Sequence, residues 1–331
     1  MYKLLPILLW LIFPLAQATQ PLVVYTARAQ QLIEPIFDRY TAETGVPVRY
    51  MSDSEGALMQ RLQAEGAATP ADILMTVDAG NLWAAAERNL LQATESTVLR
   101  ENIPAHLRDP EQRWFGFSIR ARTMVYSTER VRPEHLSTYE NLADPVWEGR
   151  LCLRTSQKVY NQSLVAMMLA ELGTEATEAV LRGWVRNLAA PPFANDNAVM
   201  EAIVAGQCDV GLVNTYYFGR LKREQPDLPI QLFFPNQATG QRGVHVNVSG
   251  AGITRHAKQP EAARAFLEWL SAGEAQALFA DLNLEYPANP AVAPSALVAS
   301  WGTFRQELIN VSEAGRRQVE AVMLMDRVGY K

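Results

Sequence analysis

Short apolar runs alternate with stretches of helical spacing along most of the chain. Residues 22–26 (LVVYT) read as a strand, after which Leu32, Ile33, Ile36, Phe37 and Tyr40 share one helix face and Gly45 supplies a stop. A second strand is expected over 46–51. A helix then runs from a Ser54 cap to about Glu65 with Leu58 and Leu62 inward, followed by a third strand over 73–76 and a helix over 81–88. Three strand–helix alternations predict a doubly wound half on a parallel sheet. Residues 114–118 and 123–127 are extended and carry the chain out of this half.

The second half repeats the pattern. A strand over 150–154 precedes helices over 161–172 and 175–187, and Asp196 is placed to cap a helix ending at Gly206. Asp209 to Val213 (DVGLV) fits a buried parallel strand, and Asn214-Thr215 ends it before the pair Tyr216-Tyr217. Successive side chains of a regular strand point to opposite faces, so the two phenols share a target only if the strand has broken there. Strands over 230–234 and 245–249, the latter continuing to Ile253, lead into a helical tail over 261–270, 274–282 and from Pro294 onward. With no Pro/Ser linker or repeat between the halves, the pattern predicts two α/β lobes joined by two extended crossings, with a cleft between them. The boundaries expected are 19–119 with 247–296 for the N-terminal lobe and 120–246 with 297–331 for the C-terminal lobe.

Composition changes this picture only at the start of the chain. The 331 residues are 48% hydrophobic and 20% charged, as in an ordinary globular protein, and a net charge of -5 with no basic block argues against a nucleic-acid partner. Residues 1–18 differ. Lys3, the apolar stretch from Leu4 to Leu15 and Ala16-Gln17-Ala18 read as a secretory signal peptide cleaved after Ala18, too short to span a bilayer. A soluble, exported protein is expected. Cys152 and Cys208 each stand at or beside a predicted strand, so export makes them a plausible disulfide, with two buried thiols as the alternative.

Enzyme motifs are missing: there is no G-x-S-x-G, H-E-x-x-H, P-loop or G-x-G-x-x-G, and the four histidines share no metal-ligand spacing. Oxygen donors are more informative. Tyr25, Tyr160, Tyr216 and Tyr217 stand at three strand exits, where open α/β sheets bind ligands. A free phenol titrates near 10, so phenolate at neutral pH needs a strong stabiliser such as a hard trivalent cation, and anionic oxygen suits Fe(III). Three phenolates cancel the ferric charge. Arg28, Arg120 and Arg122 could offset a fourth, or hold a planar anion such as carbonate; each could equally be a solvated ion-pair partner.

The segments VVYTAR, SIRARTMVY, VWEGRLC, TSQKVYNQSLVA, AGQCDVGLVNTYYFGRL and LEYPANP resemble the periplasmic ferric-iron-binding proteins of bacterial ABC importers, transferrin-like members of the two-lobed solute-binding superfamily. The resemblance runs from about Leu22 to Pro290. It implies a type II periplasmic-binding-protein fold and a monomer that binds Fe(III), with carbonate or another synergistic anion, and delivers it to an inner-membrane permease without chemistry of its own. It further implies Tyr216 and Tyr217 as ligands, with Tyr160 and Tyr25 matching a branch that uses several tyrosines. Where other branches carry a histidine and a glutamate, this chain has Val24 and, approximately, Asp78, the latter also suited to helix capping. The alternative is a two-lobed receptor for a small organic or phosphorylated ligand, to which Trp83, Trp114 or Trp147 could contribute.

Overall fold

A 13-residue strand, buried along its whole length, forms the spine of the molecule in the computed structural model, which describes residues 20–331. The signal-peptide expectation over 1–18 lies outside the described residues. The first half contains β1 (Leu22–Thr26), α1 (Gln30–Thr44), β2 (Val48–Ser52), α2 (Glu55–Glu65), β3 (Ile73–Val77), α3 (Ala79–Glu87) and α4 (Thr97–Asn102). The spine is β4 (Phe115–Ser127). After it come β5 (Leu151–Cys152), α5 (Val159–Asn187), α6 (Asp196–Val204), β6 (Val210–Asn214), α7 (Thr215–Glu224) and β7 (Ile230–Phe233). The chain returns through β8 (Val246–Ile253), α8 (Pro260–Leu270), α9 (Gly273–Asn283) and β9 (Tyr286–Pro287), and ends in α10 (Ala296–Ala299), α11 (Glu313–Arg316) and α12 (Gln318–Arg327).

Strand order is β2-β1-β3-β8-β4-β6-β5, with β7 and β9 also on β4. The sheet is mixed. The pairs β1–β2, β1–β3 and β5–β6 are parallel, whereas every antiparallel pair involves β4 or β8, the two strands that cross between lobes. From Phe115 to Ala121, β4 pairs with β8 and β9; from Arg122 to Ser127 it pairs with β6 and β7. One strand therefore belongs to both lobes, and the α/β, two-lobed architecture follows from it. The sequence breaks this strand into two pieces because Arg120 and Arg122 interrupt its apolar run, yet both arginines are buried.

Local rules account for most elements. Ser54 caps α2 by accepting from the Ala57 amide, and Gly45 ends α1 at φ 73. The two helices expected over 161–187 form one long element broken at Gly173, whose φ of 78 and ψ of 171 are non-helical. Asn195, not Asp196, caps α6, through a 2.9 Å bond from the Ala198 amide. Phe37, Tyr40, Phe266 and Trp269 pack α1 against α8, with Tyr40 edge-on to Phe266 at 4.9 Å. In the second lobe Val125, Val199, Ile203 and Val213 surround a Cys152–Cys208 disulfide whose Cα atoms are 6.0 Å apart. Among the described residues no helix is long and apolar enough to cross a membrane.

Candidate functional site

Strand β6 ends at Asn214 and passes directly into α7, so Tyr216 and Tyr217 are the second and third residues of a helix. A helix turns about 100° per residue where a strand turns 180°, and this lets adjacent phenols face one cleft. Their ring centroids are 4.4 Å apart. Tyr160 occupies the equivalent second position of α5. Neither α5 nor α7 has a side-chain N-cap, so both helices leave their positive ends open beside the phenols.

The three tyrosines line an interlobe cavity of about 250 Å³. Lys158 and Arg220 join them from the second lobe, Arg28, Glu55 and Glu285 face them from the first, and Arg120 enters from the spine. Four cations and two carboxylates line the cavity, and Asp78 stands 3.3 Å behind Arg120, so the cleft keeps a positive surplus before any phenol ionises. The Tyr160 ring is surrounded by Arg120 and Arg154, each at 5.3 Å, and by the Lys158 ammonium at 5.2 Å; Arg220 lies 4.9 Å from the Tyr216 centroid. Burial pushes the Tyr160 phenol up while Arg120 pulls it down, with a raised value as the outcome. Tyr216 is raised further, by burial and then by Tyr160 and Tyr217 beside it. Despite the surrounding side-chain cations, both phenols hold their protons in the apo cleft. Among the described residues no group of three His, Cys, Asp or Glu is placed to hold a metal, so phenol oxygens are the donors that converge.

The arginines are fixed by neighbours. Arg28 donates to Asn283 Oδ1 at 2.6 Å and Glu285 Oε2 at 3.1 Å. Glu285 also accepts from Ser118 and from Ser249, the latter at 3.0 Å; burial pushes its carboxyl up, but Arg28, Arg120 and these hydroxyls hold it below the usual range. Arg120 donates to the Val248 carbonyl at 2.9 Å and to Asp78 Oδ2 at 3.3 Å. Asp78 caps α3 through the Gly80 amide at 3.0 Å and is fully buried, in agreement with the capping role.

Two expected members stand elsewhere. Tyr25 is directed at α2, where its hydroxyl donates to Glu65 at 3.0 Å and Arg61 lies 5.7 Å from its ring, and it does not line the cavity. The pleat of β1 sets this: Tyr25 shares its strand's α2-facing side, and the cleft residue is Arg28, beyond the strand's end. Arg122 is likewise behind the cleft, on Asp196 at 2.6 Å and the Leu212 carbonyl at 2.9 Å. Conversely, Lys158, Arg220, Glu55 and Glu285 were not singled out by sequence. Lys158 two residues before Tyr160, and Arg220 one turn after Tyr216, could have been found had the tyrosines been read as helix starts.

Comparison with known proteins identifies the family of the chain. The description "bacterial extracellular solute-binding protein" matches residues 36–306. Iron uptake protein A1 of Synechocystis sp. is 41% identical over 94% of this chain and 88% of its own length, and iron uptake protein A2 of the same organism is 42% identical over 93% and 89%. A Trichodesmium IdiA/FutA structure with iron and citrate ligands superposes with a TM-score of 0.91 at 42% identity, covering 94% of this chain and all of that one. Ferric iron-binding protein A of Mannheimia haemolytica, in an open conformation, gives 0.88 at 34% identity over 94% and 99%. The chain belongs to the bacterial extracellular solute-binding protein family.

Proposed function

We propose that this protein is the periplasmic component of an ABC importer that captures ferric iron between its lobes and passes it, as a monomer, to an inner-membrane permease. The observation that carries the reading is the convergence of Tyr160, Tyr216 and Tyr217 on one interlobe cavity under Arg28, Arg120, Lys158 and Arg220. Ferric ion is the cargo. Three phenolates neutralise it, and the surplus positive charge of the cleft suits an anion that completes its shell, either carbonate or a carboxylate chelate such as citrate. All three phenols come from the C-terminal lobe (120–246 with 297–331), so iron docks there, and the N-terminal lobe (19–119 with 247–296) closes over it through bending of β4 and β8. Tyr25 is left out of this ligand set because Glu65 occupies its hydroxyl. Capture and closure make up the function.

Titration of the purified mature protein with ferric citrate tests this. A visible phenolate-to-iron charge-transfer band is expected, and Tyr216→Phe or Tyr217→Phe should abolish it together with tight binding. A colourless protein that binds a phosphorylated solute instead would sink the reading.

A further inference from the structure

We infer that Arg122 is a positioning residue that fixes the spacing between the two tyrosine-bearing helix starts. It touches no phenol. Its Nε donates to Asn161 Oδ1 at 3.0 Å, and Asn161 directly follows Tyr160. Its Nη1 donates to Asp196 Oδ2 at 2.6 Å and reaches Asn214 Oδ1 at 3.4 Å, two residues before Tyr216. Its Nη2 donates to the Leu212 carbonyl of β6 at 2.9 Å. One planar guanidinium therefore ties the start of α5 to the strand that launches α7.

The surroundings make this tie stiff. Asp196 is shared: its Oδ2 also accepts the Asn214 amide at 2.9 Å, and its Oδ1 accepts from Arg154 at 3.2 Å. Arg154 in turn lies against the Tyr160 ring. Asn214 Nδ2 approaches the Tyr216 hydroxyl at 3.4 Å, and Tyr330 closes the cluster by donating to the Arg154 carbonyl at 2.7 Å. Arg122, Asp196 and Arg154 are all at least 95% buried, so two cations share one carboxylate in a low-dielectric interior. Stability alone gives no reason for such a triad, since apolar packing commonly does as well as a buried ion pair. Its arms lead to residues flanking the phenols, and metal sites depend on outer groups of this kind to hold their ligands in place.

The inference rests on the ligand set proposed above, and the test separates the two. Arg122→Lys keeps the charge, but a single ammonium cannot span Asn161, Asp196 and Asn214 together. Asn161→Ala cuts the arm to α5, together with the Asn161 amide's bonds to the Arg154 carbonyl and the Tyr330 hydroxyl, while leaving Arg122 on Asp196 and Leu212, and serves if the lysine variant does not fold. Each is compared with wild type by ferric citrate titration, by the position of the visible band and by an apo crystal structure. The expected result is a folded variant with roughly 10- to 100-fold weaker iron retention, a shifted band and an altered separation of the α5 and α7 starts. A variant with lowered thermal stability but wild-type band and affinity would show a purely structural Arg122 and overturn the inference. So would an unchanged separation of the helix starts, a result independent of whether the wild type takes up iron.

Discussion

Ser163 Oγ donates to Asp78 Oδ1 at 2.8 Å, and this bond joins the two lobes one helical turn below Tyr160. Asp78 holds φ at 77, a region seldom adopted by non-glycine residues, and its carboxylate also accepts from Gly80, Asn247 and Arg120. It is saturated by helix, spine and opposite lobe. Replacing Ser163 with Ala removes only the interlobe donor, at a cost of about 1 kcal/mol in stability. The apo protein should become larger by small-angle scattering while its helix content stays constant. An unchanged radius would mean that the bond does not help to set lobe opening.

Tyr25 and the cleft tyrosines separate cleanly in a second experiment. Tyr25→Phe should leave the iron band and affinity intact and lower stability by about 1 kcal/mol, since Glu65 loses a donor. Tyr160→Phe, Tyr216→Phe and Tyr217→Phe should each do the reverse. Thermal melts and ferric citrate titrations of the four variants provide both readouts. Weakened iron binding in Tyr25→Phe would return that residue to the ligand set.

The disulfide should matter to stability and little to the cargo. Cys152 and Cys208 are 56 residues apart and join β5 to the entry of β6, away from the phenols. Loop entropy alone assigns such a bridge about 4 kcal/mol, which is commonly an upper value. The unfolded, unreduced protein should present no titratable thiol. Reduction should lower the unfolding midpoint while leaving the iron band in protein that remains folded.

Much of this was legible in the residue pattern, and the exceptions have a physical cause. Period-2 and period-3.6 patterns, with Gly45 and Ser54 as punctuation, mark most strands and helices. The alternation cannot say which face of a strand looks toward the cleft, because that depends on which helix covers it. Tyr25 on β1 was lost in this way. Arg120 and Arg122 share a strand face, yet the spine crosses from one lobe to the other between them. One therefore reaches Asp78 and the cleft and the other Asp196 in the second-lobe interior. Asp196 reads as a cap from its place before a helix; its role as a buried counter-ion needs two arginines distant in sequence.

Acid should weaken the floor of the cleft through Glu285. Its folded value is depressed, so its contribution is present above the unfolded carboxylate range and is lost as pH falls through the folded value. Arg28→Met removes one of the two cations responsible, so the loss should begin at a higher pH. The acid-unfolding midpoint of Arg28→Met should lie above that of the wild type. Coincident midpoints would show that Arg120 and the serine hydroxyls suffice for Glu285.

Iron loading itself should release protons. Burial raises Tyr160, and burial with its two phenol neighbours raises Tyr216 well above an ordinary phenol, so both are protonated in the apo cleft at neutral pH. Ferric ion binds the deprotonated form, and each phenol that ligates must lose its proton first. The sign is therefore fixed: affinity rises with pH and falls as protons compete, by about tenfold per pH unit for each phenol that ionises on binding. An indicator dye in weakly buffered solution should register about one proton per iron bound for each phenol that ligates, in addition to any released by the iron chelate. Tyr160→Phe should release one fewer and show a shallower pH dependence. Identical proton counts in wild type and Tyr160→Phe would mean that Tyr160 stays neutral, and it would then have to be removed from the ligand set.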